Sequence, residues 1–146
     1  MTAKTIIKDQ WRLMQKANDA DQNDLVVGKD LLDTLLANRE RAAGLAANMI
    51  GVNKRVIAFY AGPLAIVMYN PEIVAKSGSY QTEEGCLSLV GTRPTTRYET
   101  IVVKYQDQNF ERKTQEFTGF IAEVIQHEIG WCKTQTSNWG NEVKQT

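Results

Sequence analysis

"GFIAEVIQHEIGWC", residues Gly119 to Cys132, is the stretch on which the fold reading turns. Ile121, Val124, Ile125 and Glu128 recur at i, i+3, i+4 and i+7, the spacing of one face of a helix. On that helix His127 and Glu128 begin the pattern His-Glu-x-x-His. There, two imidazoles one turn apart can share a metal while the intervening carboxylate handles a metal-bound water. Trp131 stands in the second histidine's place, and an indole nitrogen only donates. Read alone, the half-motif is weak, since a single histidine on a helix is more often structural than a ligand.

Upstream of this helix the period changes. "RVIAFY" (55–60), "LAIVMY" (64–69), "TIVVKYQD" (100–107) and "RKTQEFT" (112–118) are rich in β-branched and aromatic residues and are bounded by turn signals. They are expected to be antiparallel strands joined by short connections. Farther upstream, "DQNDLVVGKDLLDTLLAN" (21–38) places Leu25, Leu32, Leu35 and Leu36 at helical spacing, with Asp21 or Asn23 as N-cap. Helix, strands, helix is an α+β order: antiparallel sheets packed around a C-terminal, motif-bearing helix, with an N-terminal helix.

The chain has 146 residues and neither an internal repeat nor a Pro/Gly/Ser-rich linker, so one domain over 1–146 is expected. Residues 133–146, with only Trp139 and Val143 as apolar side chains, are expected to be a loose polar tail. Lys+Arg and Asp+Glu balance at 17 each, which gives no field to attract nucleic acid or an anionic membrane. The same balance leaves ribosome association undecided. No segment approaches the roughly 18 apolar residues of a membrane span, so a cytoplasmic protein is expected. Two cysteines, Cys86 and Cys132, make no disulfide framework.

Two further stretches could carry chemistry. "EGCLS" (84–88) sets a cysteine beside a glycine, which suits a thiolate near a metal and equally a small buried hydrophobe. "GLAANMIG" (44–51) is small enough for an extended peptide to pair with its backbone, and equally for a tight turn against the core.

Together and in this order, the three stretches resemble the motifs of the peptide deformylase family: Gly-x-Gly-Leu-Ala-Ala-x-Gln, Glu-Gly-Cys-Leu-Ser and Gln-His-Glu-x-Asp-His. The resemblance covers roughly Asp21 to Cys132. It implies a metal-dependent hydrolase that removes the formyl group from the N-terminal formylmethionine of new peptides. It also implies a divalent metal, ferrous iron or zinc, with Cys86 and His127 as ligands and Glu128 as general acid/base. By the same match the Leu87 N–H would hold the formyl oxygen, and Gly44 and Leu45 would pair with the substrate backbone. Val124 would line the methionine pocket, unless it is plain helix core.

The chain departs from the family pattern at four positions. Ala42 replaces the first glycine. Met49 replaces the glutamine and cannot donate to the formyl oxygen in that substrate-binding position, a loss that typically costs about 100- to 1000-fold in rate. Gly130 and Trp131 replace Asp-His, which removes the second histidine ligand. Cys132 does not substitute for it, because five residues from His127 it points away from that face. The alternative implied is a deformylase-like module that binds formylmethionyl peptides without hydrolysis. A zincin protease is disfavoured, since it needs the same absent histidine.

Overall fold

The computed structural model describes residues 3–4, 17–86 and 89–133, with only the backbone of Cys86, Leu89, Val90 and residues 131–133. The first element is a 3-10 turn, Gln22–Asp24, and Asp21, expected with Asn23 as a candidate helix cap, caps this turn, whereas Asp24 occupies the N-cap position of the helix that follows. The Asn23 N–H donates to Asp21 Oδ1 (2.8 Å) and the Asp21 N–H to Asp24 Oδ2 (2.9 Å), a reciprocal capping box. Helix α1 follows over Leu25–Ala37.

The buried face of α1 is Val27, Gly28, Leu31, Thr34 and Leu35, while Leu36 is 48% exposed and Leu25 and Leu32 only flank the core. The expected leucine stripe is therefore rotated, because α1 lies against the strands Val56–Ala61 and Leu64–Cys86 along the line of Leu31 and Leu35. Gly28 is part of that line for a steric reason. A Cβ there would stand 1.9 Å from the Tyr69 hydroxyl oxygen, which donates to the Leu25 carbonyl at 3.0 Å, and 3.0 Å from Val67 Cγ2. Gly28→Ala is expected to displace Tyr69 and cost about 1–3 kcal/mol, even though alanine favours helix. A lowered urea midpoint with unchanged slope would show it; an unchanged midpoint would refute it.

The strands form one antiparallel sheet in the order β1 (Gly44–Ala46), β2 (Val56–Ala61), β3 (Leu64–Cys86), β4 (Leu89–Gln106) and β5 (Arg112–Thr118). The runs expected as strands at 55–60, 64–69, 100–107 and 112–118 fall in β2, β3, β4 and β5, but for the end residues Arg55 and Asp107. The connections are not all short loops: residues 70–86 and 89–99 continue β3 and β4 as a long two-stranded ribbon. Turn-forming residues within it disguised the pairing. Asn70 takes a positive φ of 54° next to Pro71, and the register shifts between Tyr69 and Glu72, Ile73 and Ala75, and Gly85 and Cys86.

Helix α2, Gly119–Lys133, packs on β1, β2 and β4 around Ala122, Ile125 and Ile129. It includes Lys133, the first residue of the expected tail; residues 134–146 lie outside the described part. Among the described residues no helix is long and apolar enough to cross a membrane.

Candidate active site

Gln126 fixes α2 in rotation. Wholly buried, it accepts from the Tyr98 N–H (3.0 Å) and donates to the Tyr98 carbonyl (2.9 Å), so its amide docks on β4 as a neighbouring strand would. The next two residues, His127 and Glu128, are 7% and 3% exposed and line a cavity of about 460 Å³.

The first glycine-rich stretch forms one wall of this cavity. β1 lies at the edge of the sheet and pairs only with β2 among the described residues, through Gly44 with Phe59 and Leu45 with Ala58. Gly44 lines the cavity, whereas the Leu45 side chain is fully buried in the core, which leaves its backbone as the part that a ligand could meet. A Cβ on Gly44 would lie 2.7 Å from Val124 Cγ1, 3.1 Å from the Ala58 carbonyl and 3.2 Å from Glu128 Cγ. Only glycine lets the edge strand approach the helix this closely. Ala42, Met49 and Val124 also line the cavity, Met49 from a 3-10 turn over Ala47–Ile50. Val124 therefore both packs the helix and faces the cavity.

The second stretch enters through Glu84. Its carboxylate is buried between two partners: Oε1 lies 2.7 Å from His127 Nδ1 and 2.7 Å from an Arg97 terminal nitrogen, and Oε2 accepts from Arg97 Nε at 2.9 Å. Burial by itself would raise this carboxyl, but the hydrogen bonds and charges of His127 and Arg97 prevail and hold it at about 2. An ionised carboxylate only accepts, so His127 donates from Nδ1, and in a neutral ring Nε2 is then the acceptor nitrogen. Orientation by a carboxylate is how metal-binding histidines are commonly held, so His127 fits one corner of a divalent-metal site. Among the described residues no three His, Cys, Asp or Glu side chains are grouped to hold an ion. The Cys86 and Trp131 side chains, and all of Leu87, lie outside the described part.

The sequence did not reveal the roles of Glu84, Arg97, Gln126 or Glu123. Glu84 was visible as the first letter of "EGCLS", but its burial was not. Glu123 lines the cavity one turn before His127 and accepts from the Tyr80 hydroxyl at 3.3 Å. Burial, then the hydrogen bond with Glu84 and the charge of Glu84, push Glu123 up to about 7, against the smaller opposing effects of Tyr80 and Arg97.

A family model described as polypeptide deformylase matches residues 3–136. A peptide deformylase of Clostridium beijerinckii is 56% identical over 126 residues, covering 86% of this chain and 93% of that protein. One of Chlorobium phaeobacteroides is 38% identical over 69% of this chain; the match spans only 59% of that longer protein. A crystal structure of class I type b peptide deformylase from Acinetobacter baumannii, bound to Met-Ala-Ser, superposes with a TM-score of 0.80 at 27% identity. It covers 92% of this chain and 98% of that one.

Proposed function

Because the chain belongs to the peptide deformylase family, we propose that it is a metal-dependent amide hydrolase that removes the formyl group from the N-terminal formylmethionine of new peptides in the cytoplasm. The observation that carries this reading is the 2.7 Å contact between Glu84 and His127. It joins the strand bearing the cysteine motif to the helix bearing the histidine motif, at a cavity that the glycine stretch also lines.

In this reading Cys86 and His127 hold the metal, ferrous iron or zinc. When bound, that ion supplies a Lewis acid that polarises the formyl oxygen and makes water more acidic. The peptide backbone pairs with Gly44 and Leu45 along the edge strand β1, and the first side chain lies against Val124 and Met49. The Leu87 N–H holds the formyl oxygen. Glu128 takes a proton from water as its oxygen adds to the formyl carbon, then delivers it to the amine nitrogen as the C–N bond breaks. Formate and a free amino terminus are the products.

Two measurements on the purified chain test this together: bound metal, and turnover of formyl-Met-Ala-Ser with added ferrous iron or zinc. Metal-dependent release of formate is expected. No bound metal and no turnover would remove the enzyme reading. Binding of the formylated peptide without turnover would favour the non-hydrolytic module, for which Trp131 in the ligand position is the motive.

A further inference from the structure

The cavity has an apolar side, formed by Ala42, Met49 and Val124, and on α2 it also has a carboxylate, Glu123. The Arg97 charge acts on that carboxylate without forming an ion pair with it. Arg97 binds Glu84 through two nitrogens, and Glu123 has hydrogen bonds with the Glu84 carboxyl and the neutral Tyr80 hydroxyl. No ion pair to Glu123 occurs among the described residues. Glu123 stands one turn, about 6 Å along the axis, before His127. A four-atom side chain on the first residue of a formyl peptide, with its formyl group held beside His127 and Glu128, spans that distance. A methionine thioether reaching it brings no positive charge to the ionised carboxylate.

We propose that Glu123 is a specificity-determining residue that admits an unbranched first side chain ending in a protonated amine, in addition to methionine. The inference rests on the deformylase reading of this cavity. A buried ammonium without a partner is strongly disfavoured, and Glu123 supplies the partner. Among the described residues no ion pair neutralises Glu123: Arg97 holds Glu84 and Arg41 donates to the Asn38 side-chain oxygen, while the Glu84 carboxyl favours a proton on Glu123 that an incoming ammonium would displace.

Ornithine and norleucine test this cleanly, because both match methionine in chain length and differ only in whether the end is an ammonium or a methyl. Binding of formyl-Orn-Ala-Ser and formyl-Nle-Ala-Ser to the metal-supplemented protein is measured at pH 8.5, and formyl-Met-Ala-Ser turnover is followed in parallel. The wild-type protein is expected to bind the ornithine peptide within about tenfold of the norleucine peptide. In Glu123→Leu the ratio should widen by about 100-fold, and in the near-isosteric Glu123→Gln by about tenfold. The same ratio in all three proteins would overturn the proposal, as would wild-type exclusion of the ornithine peptide. If formyl-Met-Ala-Ser is turned over while the ratio stays fixed, only this inference fails. If no formyl peptide binds or reacts, the deformylase reading fails with it.

Discussion

Glu84→Ala is expected to destabilise the fold by about 3–5 kcal/mol, because it leaves the Arg97 guanidinium, 1% exposed, without its bidentate partner in the interior. The same change frees the His127 ring from the carboxylate that orients it, so metal affinity should also fall, by about 10- to 100-fold. Urea unfolding and a metal titration check the two effects separately. Glu84→Gln preserves the volume and one acceptor and should lie between the wild type and the alanine variant. A pH series adds an independent check. The Glu84 carboxyl is held at about 2 in the fold against an ordinary value of 4.5. A depressed folded pKa gives stability that is complete above pH 4.5 and is lost as pH falls through about 2. Wild-type stability should therefore drop across that window, and Glu84→Gln should lack this component. Glu123, raised to about 7, acts with the opposite sign: its contribution is full below pH 4.5 and is lost as pH rises through 7. An alanine variant as stable as the wild type would mean that the buried cluster is not the anchor described here.

Glu128→Gln is expected to lower formyl-Met-Ala-Ser turnover by about 100- to 10,000-fold, because glutamine keeps the shape of the side chain but cannot carry the proton from water to the amine. The surrounding geometry makes the substitution a clean one. Glu128 is 3% exposed and sits where Gly44 brings the edge strand against α2, so a side chain of equal size leaves that packing in place. Metal content should stay the same and peptide affinity should change by no more than about threefold. This separates proton transfer from loss of the site. Turnover at the wild-type rate would remove Glu128 from the mechanism.

Much of the fold was legible in the sequence. The helical spacing of Ile121, Val124 and Ile125 located α2, and the β-branched runs located the apolar parts of β2, β3, β4 and β5. The ribbon formed by residues 70–86 and 89–99 was not legible, because it is mostly solvent-exposed on both faces and so has no alternation to betray it. Its evidence is a ladder of backbone bonds between residues up to tens of positions apart. For the site, the letters of the three stretches indicated His127, Glu128, Gly44 and Val124, and the structure gathers all four at one cavity.

By itself, the sequence determined the types and order of the helices and strands, the family motifs and the replacement of a histidine by Trp131. These follow from local spacing and side-chain identity. Only the tertiary structure decided that β1 is the edge of the sheet among the described residues, that Glu84 clamps Arg97 and His127 together, and that Glu123 lines the same cavity. The physical reason is that burial and pairing depend on which surfaces meet. A carboxylate whose letter looks like any other becomes an ionised anchor or a proton-holding neighbour only through the groups that the fold brings beside it.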